Sequence, residues 1–383
     1  MTRPSKSALP SKMARMDWPL LIIALALCAI GLLNVYSGTR VHGAPGTALV
    51  IKQFVWILLG VAGFFAVFLL SDGFIEDTAY GFFLAMLVLL VVVLLAGRVR
   101  GGAQRWIAIG AFNLQPSEFA KIAVTLALAR YLSSKYRYGG IGMKEFLPGI
   151  GLVLAPFLLV ALQPDLGSAG VFLFILAGMA VVACVRWKVL AFFAASAVAT
   201  VPALWFFMKE YQRQRVLTFL NPELDPLGAG YHVIQSKIAV GSGGIIGKGY
   251  LQGTQGSLRF LPEQHTDFAF AVFSEEWGFL GSLLLLVLFL LLVYRLFFLT
   301  ARSQDRFASF ACGGIAVFFL THIVINLAMV CGLFPVVGIP LPFVSYGGSS
   351  MLTGMMALGA AANLSRSRFT FQGGGGKGRG IDF

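Results

Sequence analysis

WPLLIIALALCAIGLLNVYS, residues 18–37, runs for twenty positions without an acidic or basic side chain. At ~1.5 Å per residue such a helix is roughly 30 Å long, the thickness of a bilayer's hydrocarbon core. The block outruns the ~7–15-residue apolar region of a cleaved signal peptide, so it is expected to stay in place as a first membrane span. Comparable apolar blocks return at about 50–70, 78–97, 115–134, 146–162, 166–185, 188–208, 270–294, 307–331 and 349–365. The fold class expected is an all-α polytopic membrane protein with ten transmembrane helices and a long extracytoplasmic loop between helices 7 and 8.

Composition agrees with that reading. Of 383 residues, 58% are hydrophobic and 12% charged, whereas soluble domains run at ~45–50% apolar and ~25% charged. The net charge of +13 is spread along the flanks of the apolar blocks and is not gathered into a nucleic-acid footprint. With ten spans both termini share a side, and 17 of the 29 basic residues fall on it, which places the termini in the cytoplasm. The acidic stretch SDGFIED, residues 71–77, runs against this bias. Three regions follow: a cytoplasmic segment over 1–17, the membrane domain over 18–365, and a glycine-rich tail over 366–383 that reads as disordered. Four cysteines and four histidines are scattered without metal-ligand or redox spacing, so no metal held by the protein is expected.

The two longest outside segments, 98–114 and 209–266, are basic on the face where the orientation bias predicts few basic residues. Such a surface suits an anionic substrate, or anionic lipid headgroups. Within the longer one, GSGGIIGKGYLQGTQG (241–256) invites a phosphate-loop reading, but Ser242 and Gly249 break the motif and the surrounding pattern is not βαβ. A flexible loop is the plainer reading, with Lys248 still usable as a phosphate contact. A third outside stretch, CGLFPVVGIPLPFVSYGG (331–348), is apolar but carries three prolines and a glycine pair, so no regular helix accommodates it. Non-helical backbone at membrane depth survives only when packed in protein or lining a wet cavity. It reads as a re-entrant or capping loop over a site, or else as a tight connection.

Ionisable side chains inside apolar spans are costly and therefore candidates for function. Span 4 opens Gln115-Pro116-Ser117-Glu118 and continues to Lys121, three residues on and thus on the same helix face. Either this is a structural ion pair, or Lys121 offers its ammonium to a phosphate with Glu118 fixing its direction. Asp165, after Gln163-Pro164, is placed to cap span 6. At the mouth of span 8, LPEQHTDFAF (261–270) followed by Glu275 and Glu276 brings three carboxylates together, Asp267 and Glu275 eight apart and so on nearly one helical side. Asp267 reads there as an N-cap or as a functional acid.

These residues carry a resemblance. YQRQRVLTFLNPELDPLGAGYHVIQSKIAVGSGGIIGKG (211–249), LPEQHTDFAFAVFSEEWGFLG (261–281), RWIAIGAFNLQPSEFAK (105–121), QPDLGSA (163–169) and GLFPVVGIPLPFVSYGGSS (332–350) together resemble the SEDS family. The likeness covers about 18–365, and the YQRQR and DPLGAGYH stretches lean toward the family's elongation branch over its division branch. The resemblance implies a peptidoglycan glycosyltransferase of the bacterial cytoplasmic (inner) membrane that polymerises lipid II into β-1,4 glycan strands during elongation, releasing undecaprenyl diphosphate. Its implied partners are a class B penicillin-binding protein and other elongation-complex proteins such as MreC and MreD. It also places the family's catalytic acid at Asp267, in preference to the N-cap reading.

Inverting glycosyl transfer needs a carboxylate to take the proton of the attacking hydroxyl, a role for Asp267. Because diphosphate leaves already stabilised, it needs cations more than a second acid. Lys121, Arg105, Arg213, Arg215 and Lys248 form the pool of expected contacts, with a loosely held Mg²⁺ or Mn²⁺ as an optional aid and no tightly bound cofactor. A lipid II flippase is the rival reading; it should carry charge near mid-membrane on several helices, and the spans hold little.

Overall fold

The computed structural model describes residues 12–39, 47–71, 73–100, 103–109, 112–208, 210–225, 228–254 and 264–366. Seven long helices come first: α1 (Trp18–Thr39), α2 (Thr47–Phe68), α3 (Phe74–Ala96), α4 (Pro116–Lys135), α5 (Met143–Leu162), α6 (Leu166–Val182) and α7 (Trp187–Phe207). The stretch expected to be a long loop contains two further helices, α8 (Glu210–Leu220) and α9 (Ala229–Ser242), with a short 3₁₀ turn at Pro222–Leu224. Then come α10 (Ala269–Arg302), α11 (Arg306–Val330) and α12 (Gly348–Ser365).

Each apolar block has become a helix, but not each one has the look of a lipid-facing span. Among the described residues six helices, α1, α2, α3, α5, α10 and α11, are long and apolar enough to cross a bilayer. The chain is a multi-pass membrane protein on that count. Of the other long helices, α4 and α12 carry more polar residues, α6 is 17 residues long, and α7 is apolar over Trp187–Thr200. In α4 the reason is visible: it lies among α3, α5, α6 and α11, so its polar residues face protein.

Polar punctuation starts several helices. Asp17 Oδ1 accepts from Leu20 N at 3.2 Å, Asp165 Oδ1 from Ser168 N at 3.2 Å, and Asp305 Oδ2 from Ala308 N at 2.9 Å. Each carboxylate satisfies one of the amides that a first helical turn leaves unpaired. Proline opens α4 for the complementary reason, since it has no amide to satisfy.

The core is built around α11, which packs against α4, α6, α10 and α12 and buries phenylalanine on several sides. Outward faces of α3, α5 and α10 expose Leu84, Leu95, Leu158, Phe279 and Leu290. A water-soluble monomer rarely shows apolar surface on this scale, and a bilayer covers it. At one end of the bundle the residues between α3 and α4 form a small antiparallel sheet, β1 (Arg98–Arg100), β2 (Ala103–Ile109) and β3 (Phe112–Leu114), in the order β1-β2-β3. Ile107 pairs with Leu114, so β3 delivers the chain directly into α4.

Residues 331–347 run without helix into α12 while packed inside the bundle, with Ile339, Leu341, Phe343 and Val344 buried. The Phe343–Val344 backbone lies so close to Gly31 of α1 that a side chain at position 31 would collide with it. This is the protein-packed irregular segment that its prolines predicted.

The α10 helix is 34 residues long, and at ~1.5 Å per residue its roughly 51 Å exceeds a ~30 Å hydrocarbon core. A kink at Gly278 (φ 64°) divides it. Above the kink, residues 269–276 are all buried in protein; below it the helix exposes Phe279, Leu280 and Leu284. The glycine-rich run lies against this kink and is anything but loose. Lys248 N and Gly249 N donate to Glu275 O and Glu276 O at 3.0 Å each, and Phe279 N and Leu280 N donate to Gly244 O at 2.9 Å and Ile245 O at 3.1 Å. The flexible-loop expectation for 241–256 is therefore corrected for its described residues: broken helical hydrogen bonds of α10 are completed by the run. A Cβ at Gly278 would strike Gly247 N, and one at Gly247 would strike Glu276 O.

A non-glycine residue at positive φ costs on the order of 1–3 kcal/mol before any overlap is counted. Gly278→Ala is therefore expected to lower the thermal midpoint of the detergent-solubilised protein clearly. Gly151→Ala, in open space on α5, should leave it unchanged or raise it slightly. Equal midpoints for the two variants would refute the interlock.

Candidate active site

Asp267 stands in the turn at 264–268 that leads into α10. The helix starts at Ala269 with Phe268 in the N-cap position. Asp267 is thus not the N-cap, which removes the plainer of its two readings. Because Asp267 precedes the helix, its eight-residue spacing from Glu275 does not set the two acids on one helical face.

Three elements hold this turn. From α1, Gln264 Nε2 donates to Gly38 O at 2.6 Å, Asn34 Nδ2 to Ala269 O at 2.9 Å, and the Ser37 hydroxyl to the Glu276 carboxylate. From α11, Asn326 Nδ2 donates to Asp267 O at 3.0 Å and to Ile339 O at 2.7 Å. The irregular segment supplies the third side, with Tyr346 N donating to His265 O at 2.8 Å. A Cβ built at Gly338 would lie 3.3 Å from Asp267 Oδ2, so the carboxylate passes directly beside that glycine. Asp267 itself is half-buried, which leaves its side chain partly open to approach.

Behind the turn, one helical turn along α11 from Asn326, His322 meets the pair expected on α4. Lys121 Nζ lies 2.7 Å from Glu118 Oε1 and 2.9 Å from His322 Nε2. His322 Nδ1 is 2.9 Å from Phe318 O, which can only accept, so Nδ1 carries the proton and Nε2 accepts from the ammonium. All three side chains are buried, and Lys121 has no exposed surface. Glu118 and Lys121 do share a helix face as their spacing required, enclosed in the core and turned toward α11.

The remaining predicted cations are also engaged. Arg105, on β2, forms a salt bridge of 3.0 Å with Asp165, which at the same time caps α6. Two residues into that helix, Gly167 touches Val337 O, so this pair stands beside the same irregular segment that passes Asp267. Lys248 lies 2.6 Å from Glu275 Oε1, and Thr254 donates to that oxygen through both its amide and its hydroxyl at 2.8 Å. Arg213 donates to Trp205 O and Phe206 O at 3.1 Å each, where it completes the end of α7. Arg215 lies on α8 with its side chain outside the described residues. The structure therefore gathers Asp267, Lys121, Glu118 and Arg105 around α11 and residues 337–339, and ties Lys248 to the α10 kink. Near that kink Tyr250 rests on Trp277 with ring centroids 6.1 Å apart; burial, and then the Glu276 carboxylate, push its phenol above the usual tyrosine range.

Sequence reading passed over His322 and Asn326. Their signal was present: HIVIN (322–326) sets an imidazole and an amide four apart, on one face of an otherwise apolar helix. Among the described residues no three His, Cys, Asp or Glu side chains come together as a metal-ligand set.

Removing one member of a buried ion pair leaves an uncompensated charge, at a cost of roughly 3–5 kcal/mol, whereas removing both is often nearly neutral. Lys121→Met alone should lower the thermal midpoint sharply, and Glu118→Gln added to it should recover most of the loss. A double variant no more stable than the single one would show that the pair is not enclosed.

Comparison with known proteins adds a lineage to this geometry. The family model described as cell cycle protein, FtsW/RodA/SpoVE, matches residues 18–369. The peptidoglycan glycosyltransferase MrdB of Escherichia coli is 40% identical, over 92% of this chain and 94% of that one. Two solved structures are similar: a chain from a peptidoglycan synthase complex described for its structural coordination of polymerization and crosslinking (33% identity, TM-score 0.78, 93% and 99% covered), and the rod shape determining protein RodA of Thermus thermophilus (30%, 0.69, 92% and 98%). With the match spanning nearly the whole chain, this protein belongs to the FtsW/RodA/SpoVE family, the SEDS family of membrane proteins.

Proposed function

We propose that this chain is a peptidoglycan glycosyltransferase that polymerises lipid II at the outer face of the bacterial cytoplasmic membrane. The full-length likeness to a named peptidoglycan glycosyltransferase supports the activity. The single observation that carries the mechanism is the half-buried Asp267 carboxylate, fixed beside Gly338 at a turn whose backbone is held from α1 and α11.

In this mechanism the GlcNAc 4-hydroxyl of one lipid-linked unit attacks the anomeric carbon of MurNAc on another, with inversion. The new C–O bond forms as the bond from carbon to diphosphate breaks, and the leaving oxygen keeps the electron pair. Asp267 takes the hydroxyl proton as general base. No general acid is needed, because undecaprenyl diphosphate leaves as a stabilised anion. Arg105 pairs with Asp165 at the start of α6, the helix whose Gly167 abuts Val337; a diphosphate reaching it would compete with Asp165 for a bidentate partner. Lys121, held by Glu118 and His322, contributes its charge from behind, while Lys248 at the α10 kink and Arg213 at the end of α7 are further candidates, with Arg215 kept in the pool on its sequence position.

An apolar cavity of about 350 Å³ opens between α2, α3, α4 and α12, lined by Leu70, Phe82, Phe119, Ile122 and Met356. Such a lining suits a prenyl chain, and Phe119 and Ile122 flank the residues of the Glu118–Lys121 pair on α4. Ten crossings with both termini cytoplasmic complete the reading, with a class B penicillin-binding protein as crosslinking partner. The coordination of polymerization and crosslinking for which the similar synthase complex is described supports that pairing.

Removal of a general base typically costs 10²–10⁴ in rate. Asp267→Asn, purified with its partner and given lipid II, should therefore polymerise at least about 100-fold more slowly while inserting normally. Wild-type turnover in this variant would end the general-base assignment. Translocation of lipid II without glycan products would favour the flippase instead.

A further inference from the structure

We infer that Asn326 is the positioning residue of this site: its side-chain amide sets where the Asp267 carboxylate stands by stapling the Asp267 turn to the irregular segment at Ile339. The inference rests on the general-base reading of Asp267 proposed above.

The geometry is specific. Asn326 Nδ2 has two protons and spends them on two carbonyls, Asp267 O at 3.0 Å and Ile339 O at 2.7 Å. Ile339 is the next residue after Gly338, the glycine facing Asp267 Oδ2. One amide therefore fixes both walls of a narrow gap, the residue that bears the carboxylate and the residue adjoining its opposite face. Gly338 adopts φ 71°, a conformation that favours glycine, and its missing Cβ leaves the room that the carboxylate uses.

Other bonds hold neighbouring points of the same two backbones. The α1 bonds hold Gln264 and Ala269, on either side of Asp267, and the Tyr346 amide holds His265 from the far end of the segment. Asn326 is fully buried on α11, and its Oδ1 has no hydrogen-bond partner among the described residues. A buried unpaired acceptor is costly, so the orientation that aims Nδ2 at the two carbonyls is maintained against that cost. One turn earlier on the same face, His322 holds Lys121, so α11 carries the register of both the base and the buried cation.

Asn326 touches no reacting atom; it acts through Asp267. Displacement of a reacting group by ~1 Å can cost on the order of 100-fold in rate. Asn326→Ala and the isosteric Asn326→Asp are therefore expected to lower kcat by 30-fold or more. This holds per folded complex, counted from the monodisperse fraction and measured well below the thermal midpoint. KM for lipid II should stay within about twofold, since ground-state binding is not what the staple provides. If kcat per folded complex stays within about threefold while the midpoint falls, Asn326 is merely structural and the inference is overturned.

A second variant separates the two roles even if Asn326→Ala folds poorly. Asp267→Glu drives a longer side chain into the gap at Gly338, and a loosened staple should accommodate it. In the Asp267→Glu background, Asn326→Ser is expected to cost less than it does alone, or to restore turnover. An equal cost in both backgrounds means independent action and refutes the inference. Should Asp267→Asn itself polymerise at the wild-type rate, the general-base reading falls and takes this inference with it; slow Asp267→Asn with normal Asn326 variants removes the inference alone.

Discussion

Between Cys331 and Gly347 the backbone has no helix in which to pair its amides and carbonyls, and the segment is buried among apolar helices. Each polar group left unpaired there costs energy comparable to a lost hydrogen bond. The fold meets this with side chains sent in from around the bundle. Gln53 of α2 donates to Ser345 O at 3.3 Å and accepts from Gly347 N at 3.4 Å, Asn326 of α11 donates to Ile339 O, and Ser345 Oγ accepts from Leu341 N at 2.9 Å. The site forms where those donors converge. Asp267 is in its place because the same amide that satisfies Ile339 also satisfies the Asp267 carbonyl, and Gly167 and Gly31 are bare because the segment presses against them.

Electrostatics around this segment follows one rule: cations near the site are held by an acid or by carbonyls before any substrate arrives. Lys121 rests on Glu118, Arg105 on Asp165, Lys248 on Glu275, and Arg213 on the end of α7. The pairs differ in depth. Lys121 and Glu118 are both fully enclosed, so separating them would strand two charges. Arg105 and Lys248 remain about a quarter exposed while their carboxylates, Asp165 and Glu275, are buried, so an anion can approach these two cations from outside with the pairs intact. Burial thus sorts one pool of basic residues into enclosed and approachable charges, a division that residue type alone does not make.

Much of the fold was legible because hydrophobic length is a strong signal. The first apolar block, read as 18–37, is a helix to Thr39, and the last, read as 349–365, starts one residue earlier at Gly348. The pairing of Glu118 with Lys121 and the capping by Asp165 followed from helix spacing and turn chemistry, and both appear. What was missed depends on contacts between distant segments. The α8 and α9 helices are short and mixed in polarity, so no apolar run marks them. The glycine-rich run reads as loose in isolation, since its order comes from Glu275, Glu276 and Phe279 across the α10 kink. The bond between Asn326 and Asp267 joins residues 59 apart in the chain, and periodicity within one helix contains no trace of it.

The kink itself shows how one helix serves two surroundings. A straight α10 would carry Glu275 and Glu276 on the same rod as the lipid-facing Leu280, Leu284 and Leu290, with its upper turns continuing along the lipid boundary. Charged groups at that boundary are costly unless turned inward. Breaking the rod at Gly278 lets the upper turns tilt into the protein, where Lys248, Thr254 and Ser37 receive the two glutamates. The break would strand carbonyls and amides, and these are what the 243–249 backbone takes up. Because the upper turns are buried on all sides, the Asp267 turn that precedes them is carried into the bundle and fixed there by α1 and α11, away from lipid. The reach of the carboxylate toward the irregular segment is therefore decided eleven residues further along, by a glycine that makes no contact with substrate in the mechanism proposed here.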